Sequence, residues 1–287
     1  NPGPGDVRYQ AASSGSDTFV LEVMLYLSQG ACLYLDRDLI SDGIEQFAEG
    51  ISRAGVTILG LPSSTWKKWA QASVSSSHTQ SPLRTIICSM ERTDPVAFHC
   101  WREQEGKKFM WLNAYGPSEA SCVSTIYKLM PGEAAPKGEI PIGTPLPNTE
   151  VRIVDSTGKR LRDGLIGEIA IGGVGVGHGY LNNPALTARK FRTLPGAGRC
   201  YLTGDRGYVN EDGNVVFVGR RDNQVKISGY RIELEELDLA LVKHPAVCDA
   251  ATVVTPHQGR DCLACFYSGT DELETANVRR LLSRYLP

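Results

Sequence analysis

The sequence predicts an α/β fold assembled in successive parts, and three changes of texture carry that expectation. Strands alternate with helices over residues 1–128, which reads as a doubly wound α/β subdomain. Residues 129–218 break into short β-like runs punctuated by Gly and Pro, as expected for a β-rich subdomain or distorted barrel. Residues 223–287 return to a strand, helix and strand with an apolar face of their own, a small α+β domain, which leaves 219–222 as the expected joint between the two bodies.

In the first part, "FVLEVMLYLSQGACLYL" has an apolar face at helical spacing as far as Leu27, a stop at Gly30, and a short strand through Cys32 and Tyr34. "ISDGIEQFAEGISRAGVTILGLP" repeats the order, with a helix ending near Gly55 and a strand from Val56 to Leu61 that breaks at Pro62. "KFMWLNAYGP" then runs as a strand into a Gly-Pro turn. That places "NAYGPSEAS", Asn113 to Ser121, at the carboxyl end of a strand, where doubly wound layers hold their ligands. In the second part "STGK" and "EDGN" are hairpin turns. In the third, "QVKISGYRIELEELDLALVKHPAVCDAATVV" gives a strand, a loop with Gly229, a helix from about Glu233 to Lys243, and another strand.

At 287 residues, 41% apolar and 22% charged, the chain can bury a substantial core. Its formal charge of -2 is well interspersed, so neither nucleic acid nor an anionic membrane has an electrostatic reason to be the partner. Eight scattered cysteines fit free thiols in a reducing compartment better than a disulfide framework. The start "NPGPGDVRYQ" has no secretory pattern, and no eighteen-residue apolar run occurs, so a cytoplasmic protein is expected.

Several motifs invite chemistry and have plainer alternatives. "GGVGVGHGY" suggests a dinucleotide loop, but Tyr180 stands where the last glycine of G-x-G-x-x-G belongs and no helix follows closely. "CLAC" lacks a second ligand pair, so Cys262 and Cys265 are expected as buried strand residues, and the five histidines form no cage. Asp205 in "YLTGDRGYV" could accept two hydrogen bonds from a vicinal diol such as ribose, or simply cap a surface turn. Arg220 is either a cation for sugar or phosphate oxygens or part of a solvated charged turn.

Taken together, "NAYGPSE", "GEIAIGGVGVGHGYLNNPALTARKF" and "YLTGDRGYVNEDGNVVFVGRRDNQVKISGYRIELEEL" resemble, in order and spacing, the adenylate-forming enzymes, and most closely the amino-acid adenylation domains of nonribosomal peptide synthetases. The resemblance runs from about Asp6 to the end. It implies the second half of a large N-terminal domain, doubly wound layer plus distorted β-barrel, followed by part of a small α+β C-terminal domain. It also implies ATP, Mg²⁺ and a carrier protein's phosphopantetheine as reaction partners, with the carrier and a condensation domain expected in the same polypeptide. In nucleotide binding, Tyr115 would stack on adenine within the segment Asn113, Ala114, Tyr115 and Gly116. Ser118, in place of the commoner threonine, would contact the α-phosphate, and Glu119 would bind the metal. Asp205 would hold the ribose and Arg220 the nucleotide. Asp222 would be the hinge residue about which the small domain swings, bringing the loop around Lys226 and Gly229 to the site for the second half-reaction.

By the same resemblance "SDTFVLE" makes Asp17 the carboxylate that pairs with a substrate α-ammonium group. Thr18, Leu21, Gly60, Ile87, Ser89, Ala114, Cys122 and Val123 would line the side-chain pocket. None of these eight is charged, so a neutral side chain is expected, with Gly60 and Ala114 leaving room for moderate size. Departures are visible: Ser16 stands where the family has Phe, "CSMERTDP" replaces a glycine-rich segment, and "GHGYL" replaces Ala-Arg-Gly-Tyr-Leu. The family's phosphate loop and C-terminal lysine are not in the sequence, so a fragment of a longer enzyme, weak or inactive alone, is expected. Two other readings stay open: a free-standing acyl- or aryl-CoA ligase, and a non-catalytic remnant that binds only nucleotide or a carrier domain.

Overall fold

The computed structural model describes residues 2–36, 39, 43–75, 81–221, 224–227, 230–257, 260–269, 273–283 and 286. The chain divides into two compact units, Asn1–Gly219 and Arg220–Pro287. Strands and helices alternate through the start of the first unit: β1 (Val7–Tyr9), α1 (Asp17–Ser28), β2 (Cys32–Tyr34), α2 (Ile44–Arg53), β3 (Ile58–Pro62), α3 (Ser63–Ser75), β4 (Thr85–Ser89), α4 (Pro95–Gln104) and β5 (Met110–Tyr115). With β6 (Thr125–Leu129) and β7 (Thr144–Pro145) they form a seven-stranded sheet of order β2-β1-β3-β4-β5-β6-β7. β1 to β5 pair in parallel, and β6 and β7 add antiparallel. Because β2 and β3 lie on opposite sides of β1, the order reverses between β1 and β3. Open α/β sheets gather ligands at the carboxyl ends of the strands flanking such a reversal.

Local chemistry sets the helix starts. The Ser16 hydroxyl accepts from Thr18 N at 3.2 Å and caps α1, which gives a structural reason for a serine where the family carries Phe. Asp94 caps α4 by accepting from Ala97 N at 3.1 Å, with Pro95 at the first helical position, so the substituted "CSMERTDP" segment ends as a helix start. One face of the sheet carries Leu59, Leu61, Ile86 and Trp111 into a core with Phe47 of α2, Trp66 of α3, and Phe98 and Trp101 of α4. Trp66 and Trp101 meet edge to face at 5.4 Å, a preferred geometry for aromatic quadrupoles. On the other face Tyr26 of α1 packs against Ile58 and Ile87. Helices on both faces complete the doubly wound layer the sequence predicts.

The unit continues through β8 (Thr149–Val154), β9 (Gly167–Gly173), α5 (Pro184–Lys190), β10 (Phe191–Leu194), β11 (Gly198–Val209) and β12 (Val215–Arg220). These strands make an antiparallel sheet of order β10-β11-β9-β8, with β12 also paired to β11. "EDGN" closes the turn before β12, where Asn210 N donates to Asn214 O at 2.9 Å.

In the second unit β13 (Gln224–Ile227) pairs antiparallel with β14 (Tyr230–Glu233), and α6 (Leu234–Val242) leads to the ribbon of β15 (Val247–His257) and β16 (Arg260–Gly269) and to α7 (Thr275–Leu282). Leu237 and Leu241 of α6, Val247 and Leu282 share its core. Cys262 and Cys265 lie in β16, half-buried rather than buried, and a spacing of three along a strand points them to opposite faces. All eight cysteines are free, and among the described residues no helix is long and apolar enough to cross a membrane.

Candidate active site

β5 ends at Tyr115, and the loop that follows folds back through a short helical turn, Ser118–Ala120, into left-handed backbone at Ser121 (φ 63) and Cys122 (φ 70). Gly116 makes this return possible, since a Cβ there would lie 2.6 Å from the Cys122 carbonyl oxygen. Asn113 anchors the base of the loop by donating from Nδ2 to Pro141 O at 2.8 Å.

The Tyr115 hydroxyl donates to Asp205 Oδ2 at 2.6 Å, with both residues buried. Asp205 reaches this point because β11 carries an irregularity against β9: register runs from Leu202↔Ala170 to Arg206↔Glu168, leaving extra residues on β11 that re-aim the side chain. Thr203 holds the bulge in place, its hydroxyl donating to Ile169 O at 2.8 Å and accepting from Asp205 N at 3.0 Å. The two residues that resemble the adenine and ribose contacts are thus joined across ninety positions of sequence.

Glu119 is held from another side. Its Oε1 accepts from the Tyr180 hydroxyl at 2.6 Å and from the Tyr201 hydroxyl at 2.9 Å. Burial pushes the Tyr180 hydroxyl's pKa upward, reinforced by its hydrogen bonds to Glu119 and Tyr201, so it stays a protonated donor. The glycine run explains the approach: Gly177 N donates to Glu119 O at 2.8 Å, and a Cβ on Gly175 or Gly177 would come within 3.3 Å of the loop backbone. The sequence motifs assign no role to Tyr180 or Tyr201. For Tyr180 the signal is a hydroxyl-bearing ring directly after close-packed glycines; Tyr201 carries no such local signal.

Mg²⁺ takes one or two carboxylates beside substrate phosphates and keeps several waters, so the oxygen chemistry of Glu119 fits such an ion. Among the described residues no three His, Cys, Asp or Glu cluster as an all-protein metal cage. Ser118 is exposed at the same turn.

The positions expected to meet the substrate side chain converge on the α1 face of the sheet. Gly60 pairs with Ile87 and Pro62 with Ser89, which puts Gly60, Ile87 and Ser89 on one face. Ile87 pairs with Leu112, so Ala114, two residues on, shares that face. Thr18 of α1 reaches the loop, its hydroxyl 3.7 Å from Cys122 Sγ. Asp17, half-buried at the start of α1, accepts from Thr18 N at 2.7 Å. Burial first, then the Asp17 carboxylate, pushes the Cys122 thiol up to about 11, and Glu22 adds to the effect. Leu21 is 37% exposed on α1, and Val123 is half-buried beside Cys122.

One expectation needs correction. Gly60 was expected to leave room for the substrate, yet a Cβ there would lie 2.0 Å from Arg8 Nη2 and 2.3 Å from Nη1. The space belongs to the Arg8 guanidinium, which donates from Nη2 to Glu22 Oε1 at 2.5 Å. The eight side-chain positions are uncharged, but a buried ion pair lies directly against one of them. Neither Arg8 nor Glu22 was singled out from sequence, because their pairing crosses from a strand to a helix.

Arg220 ends β12 and Lys226 lies in β13 opposite Arg231 of β14. Both belong to the second unit and make interactions within the protein. Asp222 and Gly229 lie outside the described residues.

The AMP-binding enzyme family profile matches residues 2–181. Among curated proteins, the chain is 35% identical over 253 residues to an isonitrile lipopeptide synthase of Streptomyces coeruleorubidus, covering 87% of this chain and 16% of that protein. It is 32% identical over 283 residues to gramicidin S synthase 1 of Brevibacillus brevis, covering 97% and 24%. The chain therefore spans less than a quarter of the length of these relatives. Among solved structures, an artificially fused adenylation–PCP di-domain NRPS from Klebsiella oxytoca superposes with a TM-score of 0.79 at 28% identity, covering 98% of this chain and 52% of that one. Holo-PA1221, an NRPS protein containing adenylation and PCP domains, gives a TM-score of 0.84 at 25% identity, covering 98% and 48%.

Proposed function

The chain belongs to the AMP-binding enzyme family, and from that membership we propose that it serves ATP-dependent activation of an amino acid as its aminoacyl adenylate, then transfer to a phosphopantetheine thiol on a carrier protein. The observation that carries this reading is the loop from Tyr115 to Cys122. It joins Asp205 through Tyr115 and meets Tyr180 and Tyr201 through Glu119. Cys122 then brings it beside Thr18 and Asp17. Groups suited to a nucleotide and groups suited to an amino acid thereby share one short segment.

In this reading Asp205 orients the ribose through its carboxylate, with Tyr115 holding that carboxylate in place and offering its ring to the base. Glu119, positioned by the tyrosines, would hold Mg²⁺, which when bound neutralises charge on the phosphates. Ser118 offers a hydroxyl donor to the α-phosphate. Asp17 pairs with the α-ammonium group and so aligns the substrate carboxylate for attack on that phosphate. Little covalent work falls to the protein; positioning and charge compensation carry the step. Arg220, Asp222 and Lys226 are assigned to nucleotide contact, hinge and the second half-reaction, with 219–222 joining the 1–128 and 129–218 subdomains to the 223–287 domain. A carrier and a condensation domain are proposed as neighbours in the same polypeptide, in keeping with the adenylation–PCP titles of similar structures. The substrate side chain is proposed to be neutral, matching a pocket whose nearest buried charges already cancel.

The test is pyrophosphate exchange into ATP by the full-length protein with a panel of amino acids and the matching deaminated acids. Amino-acid-dependent exchange that is lost in Asp17→Ala is expected. Exchange driven equally by the deaminated acids would favour an acyl-CoA ligase, and ATP binding without exchange would favour a non-catalytic remnant.

A further inference from the structure

Arg8 stands at the reversal of strand order. It is on β1, and Gly60 is on β3, the neighbour on the other side of the switch. Arg8 is 4% exposed and its guanidinium fills the place of a Gly60 side chain. Nη2 donates to Glu22 Oε1, and the guanidinium carbon lies 5.4 Å from the Tyr26 ring centre. Glu22 is fully used as well, since its Oε2 accepts from Gln10 Nε2 and from Ala12 N, both at 3.1 Å. Yet Nε and Nη1 of Arg8, both buried, have no hydrogen-bond partner among the described residues. Nη1 lies against Gly60.

Glu22 follows Thr18 by four residues and so lies one turn below it on the same face of α1. Thr18 in turn reaches the loop, its hydroxyl 3.7 Å from Cys122 Sγ. A guanidinium cannot discard its charge, and two buried donors without acceptors are costly. An acceptor arriving with the substrate would relieve that cost. The Arg8–Glu22 pair is already neutral as a whole, so a second carboxylate would bring an uncompensated charge, whereas a carbonyl oxygen would not.

Building on the amino-acid activation reading, we propose that Arg8 forms the floor of the acyl pocket and selects an amino acid whose neutral side chain ends in a carboxamide, its carbonyl oxygen accepting from the Nη1 donor beside Gly60. Gly60 is then part of the selection, because any larger residue would displace the guanidinium. Hydrocarbon side chains of the same shape leave the Nη1 donor unsatisfied and are discriminated against by about 10- to 100-fold.

The experiment is kcat/KM for pyrophosphate exchange by the full-length protein with the near-isosteric pairs asparagine and leucine, and glutamine and methionine, plus aspartate and glutamate. At least one amide is expected to exceed its hydrocarbon partner by about 10-fold or more and to exceed its carboxylate counterpart as well. The double variant Arg8→Met/Glu22→Gln removes both charges together. Provided its circular dichroism matches wild type, it is expected to lose the amide preference while gaining on leucine or methionine, chiefly through KM. Arg8→Lys keeps the charge but not the second donor nitrogen and is expected to fall between. Equal use of amide and hydrocarbon by wild type, or an amide preference that survives the double variant, overturns the proposal. If no amino acid supports exchange, the underlying reading fails separately. Arg8 is then judged by equilibrium binding of succinamic acid against 4-methylpentanoic acid, the deaminated counterparts of asparagine and leucine, where equal binding overturns it.

Discussion

Glu119 accepts hydrogen bonds from two tyrosine hydroxyls and Asp205 accepts one from Tyr115, all within the loop side of the site. On the α1 side Arg8 is more deeply buried than either Tyr115 or Glu119, and two of its donor nitrogens have no partner among the described residues. The loop side is held by the protein's own hydroxyls before any ligand arrives, so its geometry is preorganised for a ligand common to every turnover. The α1 side leaves part of its polar chemistry to be completed from outside, which suits the part of a site that discriminates between ligands.

The largest expected effect tests the α1 side. Arg8→Met alone strands the Glu22 carboxylate in a site where both side chains are about 5% exposed or less, and a loss of about 3–5 kcal/mol is expected in urea denaturation. Arg8→Met/Glu22→Gln is expected to recover most of that loss; no recovery would mean the pair is not the source. On the same side Gly60→Ala is expected to cost about 1–3 kcal/mol, because its Cβ collides with the guanidinium.

On the loop side Tyr115→Phe removes one donor to a buried carboxylate, and a loss of about 1.5–3 kcal/mol is expected, together with weaker ATP binding by calorimetry. Tyr180→Phe is expected to cost less, about 1 kcal/mol, because Tyr201 still donates to Glu119. An equal or greater cost would show that the two tyrosines do not back each other up.

The smallest effect is set by pH. Arg84 donates to both oxygens of Asp6, from Nε at 3.0 Å and Nη2 at 2.6 Å, and this pairing is the main cause holding the Asp6 carboxyl below its ordinary 3.8. A lowered folded-state pKa gives stability that is full above about pH 4 and is lost as pH falls through the lowered value. Asp6→Asn should flatten that acid limb of stability against pH, and an unchanged limb would assign acid sensitivity elsewhere.

Much of the parallel layer was legible because its signals are local. The helical spacing up to Leu27 and the strand running into Tyr115 appear where periodicity and Gly-Pro punctuation put them, while the strand expected over Val56 to Leu61 runs from Ile58 and takes in Pro62. α3 and α4 carry no such local signal: their cores are aromatic, Trp66 and Phe98 acquire their meaning by packing on Trp111 from another element, and Trp101 by packing on Trp66. β14 was read as loop and helix start, because four residues with Arg231 and Glu233 alternate too briefly to announce a strand. In the site, the motif residues could be named from resemblance, but their partners could not. Tyr180 and Tyr201 lie sixty and more positions from Glu119, and Arg8 meets Gly60 and Glu22 only once β1, β3 and α1 have assembled.

The central claim is that a substrate carboxylate attacks the α-phosphate of ATP in this site. The most direct measurement supplies the full-length protein with ATP and amino acid labelled with ¹⁸O in its carboxylate, releases the acyl group with hydroxylamine, and weighs the AMP. Attack by the carboxylate leaves its oxygen on phosphorus, so AMP carrying one ¹⁸O is the predicted result. Unlabelled AMP formed in the presence of labelled amino acid would mean that another group attacks the phosphate, and would contradict the account.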